Sequence, residues 1–360
     1  MEKKSKNLIA DKQTEILGSL KKLGTQIYDQ LDSGVFPTIN MPSRSTENIN
    51  YNPNLRQYVL GAKTVTRSAR NIRHVKPFTQ LAWAALFSKE LTLHQKTSTL
   101  RDVYYSAQAY NMTFKNQQES NNIITDLETA TGRSREDFHI FPEERSAVFG
   151  DLTIEYTVPG YEGKTLNLSS HPDGVLIGPA LTSSVFRQTS ANKIIAIEKG
   201  GLFTRFIEEK VHSKHNSIIV LTAGQAPRQT RHFIRRLHDE LKLPVYIFTD
   251  GDPWGMHIAM VIISGSANAA HLRNLNTPDA KWSGVWASDI VKYKLPSDPL
   301  DEVDIKRLHE LQKDPRYQGD PLWQREIKTF LKIKRKAEQE AFSRYGLTFI
   351  VDEYLPTKLI

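Results

Sequence analysis

The 360-residue chain contains no cysteine. Disulfides, thiolate zinc sites and cysteine nucleophiles are therefore excluded, and any chemistry falls to hydroxyls, imidazoles and carboxylates. The chain also lacks any run of about 18 apolar residues, and its opening "MEKKSKNLIADKQ" has no apolar stretch of the signal-peptide kind. The expectation is an intracellular protein that does not span a membrane. A G-x-x-x-x-G-K-[ST] nucleotide loop is absent, and "GQAPRQTRHFIRRL" is a poor substitute despite its glycine and arginines, so any ATP must be bound elsewhere.

What is present is ordinary for a soluble globular chain of two or three domains: 39% apolar and 24% charged residues. The formal charge of +8 makes a polyanionic partner plausible. Within "KTVTRSARNIRHVKPF", Lys63, Arg67, Arg70, Arg73, His74 and Lys76 stand without an acidic residue to offset them. Either this is a solvated helix face, or Arg67, Arg70, Arg73 and Lys76 lie along a phosphate backbone, where binding would release counterions and depend steeply on salt.

Along the chain, Ile9, Ile16, Leu20, Leu23, Ile27 and Leu31 recur at mostly helical spacing, which predicts one amphipathic helix over residues 5–33, stopped by Gly34 and Pro37. Its apolar stripe needs a surface, on another protomer or on its own chain. The following "PTINMPSRSTENINYNPN" lacks periodicity and reads as a linker or strap, so residues 1–68 form a first segment. Residues 69–150 read as three helices, the last closed by Gly132, followed by a small hairpin in "IFPEERSAVFGDLTIEYTV". That is the outline of a mainly α winged-helix domain, a helix-turn-helix variant. From 151 to 360 strands and helices alternate: "KIIAIE", "SIIVLTAG" and "VYIFTD" each precede a helix. This predicts an α/β domain with a parallel sheet flanked by helices, whose ligands gather at the carboxyl ends of the strands. The C-terminal "WQREIKTFLKIKRKAEQEAFSRYG" reads as a long basic helix ended by Gly346.

Chemistry concentrates at those strand ends. In "VYIFTDGDPWGMHI", Asp250 and Asp252 fall between a buried strand and a helix opened by Pro253. Asp252 is equally a good N-cap, and Asp250 equally a turn residue. Glu198 ends the "KIIAIE" strand. If the two strands are neighbours, three acids share one cleft and repel, unless a cation such as Mg²⁺, which takes oxygen ligands, compensates. Lys199, Arg228 and Arg231 are weaker candidates for phosphate contact, and His257 and His271 lack metal-ligand spacing.

Glu198, the "SIIVLTAG" strand and the "TDGDPWG" turn resemble the TOPRIM domain of topoisomerases and primases, whose glutamate and D-x-D acids hold Mg²⁺. With "TLRDVYYSAQ", "TRSARNIRHVKPF" and "DPWGMHIAMVIISGSANAAHL", nearly the whole chain resembles the A-subunit family of type IIB topoisomerases, topoisomerase VI. The resemblance implies a winged-helix (CAP-like) domain bearing the reactive tyrosine, then a TOPRIM domain. It implies Tyr105, the second aromatic of "RDVYY", as nucleophile, with Tyr104 the alternative, and Glu198, Asp250 and Asp252 as Mg²⁺ ligands. Arg101, one helical turn before Tyr105, could steady a phosphate or phenolate, or make a surface ion pair. A phenol of pKa about 10 needs such help at neutral pH. Further implications are double-stranded DNA as substrate, a homodimer of A subunits, and an ATPase B subunit completing a two-A, two-B heterotetramer. Alternatives are a recombination-initiating double-strand-break protein of the same family and a non-catalytic DNA-binding module.

Overall fold

The computed structural model describes residues 2–360, with side chains from residue 11 onward apart from residue 12. Two units emerge, each with its own apolar core: Met1–Asn50, Val59–Glu143 and Ala267–Arg273 in the first, and Tyr51–Tyr58, Glu144–Ser266 and Asn274–Ile360 in the second. No helix among the described residues is long and apolar enough to cross a membrane.

The first unit opens with a helix over Glu2–Asp32, whose Ile16, Leu20 and Leu23 are buried in this unit's own core. The stripe thus packs on its own chain, although Tyr28 and Leu31 remain exposed, and Ile9 lies outside the residues whose side chains are described. The segment expected as an irregular linker is instead partly ordered as sheet: Thr38–Pro42 is a strand paired antiparallel with Thr64–Ser68, and it buries Ile39 and Met41. Two alternating apolar residues among Pro, Ser and Asn give too short a period to register as a strand. Helices follow over Ile72–His94, Leu100–Ala109 and Gln117–Thr131, capped by Asn71, Thr99 and Asn116. Gly132 closes the third at φ 68°, the left-handed conformation expected of a C-cap glycine.

The hairpin expected after these helices does not form. Ala147–Phe149 and Leu152–Glu155 enter different sheets of the second unit, separated by Gly150 at φ 144°. The former joins a six-stranded sheet in the order 175–176, 147–149, 217–221, 193–197, 245–248, 281–284. Its last four strands run parallel and its first two antiparallel. Strands 193–197, 217–221 and 245–248 are apolar throughout their centres because helices cover both faces, as in doubly wound sheets.

The C-terminal segment is not one long helix. Pro321–Ile333 is helical, Lys334 turns left-handed, Arg335–Lys336 pairs with Asp298–Pro299, and Gln339–Tyr345 is a 3₁₀ helix that Gly346 ends. The basic composition disguises a break made by tertiary pairing: Ala337 exchanges two backbone hydrogen bonds with Gly251 (2.8 and 3.0 Å).

The extreme C-terminus is clamped by charge. Lys358 Nζ reaches both carboxylate oxygens of Asp289 at 2.9 Å and lies 3.1 Å from the Trp286 ring centroid, while the Tyr354 hydroxyl donates to Asp289 at 2.7 Å. Both charged side chains are almost fully buried, so removing one partner strands the other. Lys358→Met is expected to cost about 3–5 kcal/mol in equilibrium urea unfolding. A loss under about 1 kcal/mol would mean that this clamp does not hold the terminus.

Candidate metal centre and reactive tyrosine

Strand 193–197 is the sheet's pivot, hydrogen-bonded in parallel to 217–221 on one side and 245–248 on the other. The register Ile197↔Phe248 places Glu198 beside the Asp250 turn. The Asp250 N–H donates to Glu198 Oε2 at 3.0 Å. Two of the acids expected from sequence are thereby joined directly. Asp252 is the N-cap of helix Pro253–Ser264, its Oδ1 accepting from the Gly255 N–H at 2.6 Å. The turn admits nothing larger at 255, because a Cβ there would strike the Asp250 carbonyl. Asp252 therefore shapes the turn as a helix N-cap, the first of the two readings the sequence offered.

Burial dominates the electrostatics. Glu198 is pushed up from 4.5 to about 7, first by desolvation and then by the neighbouring Asp250 and Asp252. Desolvation likewise raises Asp250 and Asp252, against the hydrogen bonds they accept from the Gln339 and Gly255 backbones. An all-oxygen donor set carrying more negative charge than it can hold alone fits a hard divalent cation.

Sequence reasoning missed two further acids. The Ala337–Gly251 pairing and a hydrogen bond from the Gln339 N–H to Asp250 Oδ1 (2.8 Å) bring Glu338 and Glu340 over the turn. Among the described residues, the three acids whose oxygens all lie within 4.8 Å of one another are Asp250, Glu338 and Glu340. Glu198 and Asp252 flank that group, each with an oxygen engaged by backbone N–H. The only available signal was an E-x-E pair inside what resembles a helix, where two residues apart would face different sides.

Tyr105 sits in the first unit on helix Leu100–Ala109, which a reciprocal Thr99/Asp102 capping box starts. Tyr105 is 52% exposed, whereas Tyr104 is half-buried and packs edge-on against it at 5.3 Å. The Arg101 guanidinium lies 5.9 Å from the Tyr105 ring centroid, as the one-turn spacing anticipates. The basic segment is less free than its local sequence indicates. Arg67 pairs at 2.8 Å with the buried Asp126, which Arg44 also holds at 2.6 Å, and Lys76 meets Glu119 at 3.2 Å. Counter-charges absent from the local sequence arrive from helix Gln117–Thr131. Arg70 and Arg73 remain exposed at the start of helix Ile72–His94.

The two histidines singled out in the sequence, His257 and His271, are held inside the protein. His271 pairs with the fully buried Glu128 at 3.0 Å, and burial, with Arg307 and Arg316 nearby, pushes His257 down to about 4. Arg228 and Arg231 are engaged within the protein. For Glu198 the raised folded value means that the native state binds more protons than the unfolded chain between about pH 4.5 and 7. Stability contributed by the protonated form is lost as pH rises through that window, and a cation held by the ionised acids would restore it. Millimolar Mg²⁺ should therefore raise the melting temperature more at about pH 8 than at about pH 6, and equal shifts at both would contradict this assignment.

Comparison with known proteins agrees with the geometry. Residues 193–359 match the Toprim domain of the topoisomerase 6 A-subunit/Spo11 family, and residues 76–140 match Type IIB DNA topoisomerase. The chain is similar to the A subunit of Type 2 DNA topoisomerase 6 from Methanothermobacter thermautotrophicus, 47% identical over 95% of this chain and 96% of the relative. The proteins of that name from Archaeoglobus fulgidus and Halobacterium salinarum are 38% and 37% identical, over 92% and 96% of this chain and 93% and 96% of their own. The chain belongs to the topoisomerase 6 A-subunit family.

Proposed function

We propose that this chain is the DNA-cleaving and rejoining subunit of an ATP-dependent type IIB DNA topoisomerase. The observation that carries the reading is the Glu198–Asp250 contact across two adjacent parallel strand ends, inside the residues that match the Toprim family. Helices Ile72–His94, Leu100–Ala109 and Gln117–Thr131 support a winged-helix (CAP-like) role for the region between residues 69 and 150, with the TOPRIM domain following to residue 360.

In the proposed reaction the Tyr105 oxygen attacks a DNA phosphorus. An O–P bond forms to the phenol oxygen as the P–O3′ bond breaks, leaving a 5′-phosphotyrosyl link, and the phenolic proton is balanced by the 3′-hydroxyl released. Resealing is the reverse, so one phosphoester replaces another with no net bond energy to supply. Arg101 stabilises charge developing on the phenol or on the phosphate beside it. Glu198, Asp250 and Asp252 would hold Mg²⁺, which when bound positions the phosphate and offsets its charge. The exposed Arg70 and Arg73 contact the duplex backbone, while Arg67 and Lys76 contribute only if their partners release them.

Each chain cuts one strand, so a homodimer cleaves both, with the tyrosine of one chain serving the acids of the other. ATP hydrolysis falls to a B subunit in a two-A, two-B assembly. The exposed Tyr28 and Leu31 in the last turns of the first helix, with Val35 and Phe36 just beyond it, are the proposed contact with that B subunit.

With plasmid, Mg²⁺ and purified B subunit, Tyr105→Phe should abolish the covalent protein–DNA adduct trapped by detergent, whereas Tyr104→Phe retains it. Persistence of the adduct in Tyr105→Phe would overturn the assignment. Asp250→Asn should slow cleavage by about 100-fold or more. The same mixture should relax supercoils; adducts without relaxation would instead favour a break-making role.

Leu31→Asp combined with Phe36→Asp should weaken affinity for the B subunit by about tenfold or more in titration calorimetry while leaving the far-ultraviolet dichroism intact. Unchanged affinity would remove this helix end from the interface.

A further inference from the structure

Lys199 is the residue that the cleavage scheme leaves unused. Its ammonium lies 3.1 Å from Asp250 Oδ2 and 3.2 Å from Glu340 Oε2, and it also contacts Glu338. It is the N-cap residue of helix Gly200–Glu208, where the helix dipole disfavours positive charge. An ammonium kept in that position needs carboxylates to hold it, and three do. Of these, Glu338 is exposed and Glu340 half-buried, so their ion pairs add little to folding; Asp250 is buried, 7% exposed, and is also a proposed cation ligand.

We propose that Lys199 is a resident counter-cation that competes with the divalent ion for Asp250, and that Glu338 and Glu340 weaken this competition by offering the ammonium an alternative seat. The inference rests on reading Glu198, Asp250 and Asp252 as the cation site. Because the three carboxylates around Lys199 lie within 4.8 Å of one another, the flexible lysine stem can pass its charge from Asp250 to the two glutamates without leaving the cluster. Asp250 then stays charge-balanced whether or not an ion is bound. The E-x-E segment thereby acquires a purpose: it is a parking place for the lysine, aimed at the turn by the Ala337–Gly251 and Gln339–Asp250 backbone bonds.

The test is Mn²⁺ binding to the full chain without DNA, followed by the loss of the free-ion paramagnetic resonance signal. Lys199→Gln should tighten binding by about five- to tenfold, and Lys199→Arg, which keeps the charge, should bind like the parent. Glu338→Gln with Glu340→Gln should weaken binding by several-fold in the parent background. In the Lys199→Gln background the same pair should change it by less than about twofold, since the glutamates act through the lysine. Unchanged or weaker binding by Lys199→Gln overturns the proposal, as does an equal cost of the glutamate changes in both backgrounds, which would make them direct ligands. Asp250→Asn separates the two levels: if it binds Mn²⁺ as the parent does, the cation-site reading itself fails.

Discussion

Buried carboxylate charge is the constraint around which the second unit is organised. The parallel register between strands 193–197 and 245–248 is set by apolar residues that have no choice but to face helices on either side. Once that register exists, Glu198 and Asp250 must emerge side by side, and the backbone N–H of one acid caps the carboxylate of the other. No rearrangement of loops can separate them without breaking the sheet. The charge conflict is therefore fixed by the pairing of the central strands, and the groups that answer it come from a flexible stem and a late stretch of chain: the Lys199 ammonium and the segment after Lys334.

Asp252 illustrates how one side chain could serve two demands. Capping helix Pro253–Ser264 through the Gly255 N–H fixes the carboxylate's position and uses one oxygen, and the proposed function assigns the other to a cation. The lone glycine at 255 is what permits the helix start to close over the Asp250 carbonyl. The local signal for an ordinary helix start and the signal for a metal clasp are in this case the same residues, so nothing in the local motif distinguishes them. The geometry shows the helix cap, and the cation role belongs to the proposed function.

The sequence revealed most where side-chain period and local capping decide the outcome. The apolar strands, the Pro253 and Gly132 helix boundaries and the Arg101–Tyr105 spacing follow from neighbours a few residues away, and each is found where local rules put it. What escaped depends on long-range pairing. Thr38–Pro42 is a strand because Thr64–Ser68 lies alongside, and the basic C-terminal run breaks because Ala337 pairs with Gly251, far earlier in the chain. Arg67 looked free because Asp126 is remote in sequence, and Glu338 and Glu340 looked like a helix surface for the same reason. The tyrosine and acid motifs themselves carried the family likeness, because they are local strings readable without any long-range pairing.

The proposed reaction, which exchanges one phosphoester for another, would place unusual demands on such a site. With no bond-energy difference to drive it, the protein must make cleavage and resealing comparably easy, so stabilising the cut state too strongly would be as harmful as failing to reach it. That argues for charge compensation that adjusts rather than saturates. A fixed excess of positive charge would hold the cleaved phosphate and its tyrosine link in place. Glu198 pushed up to about 7, Asp250 and Asp252 also raised by burial, and the displaceable ammonium proposed at Lys199 would give a site whose net charge can follow the phosphate through both directions of the proposed exchange.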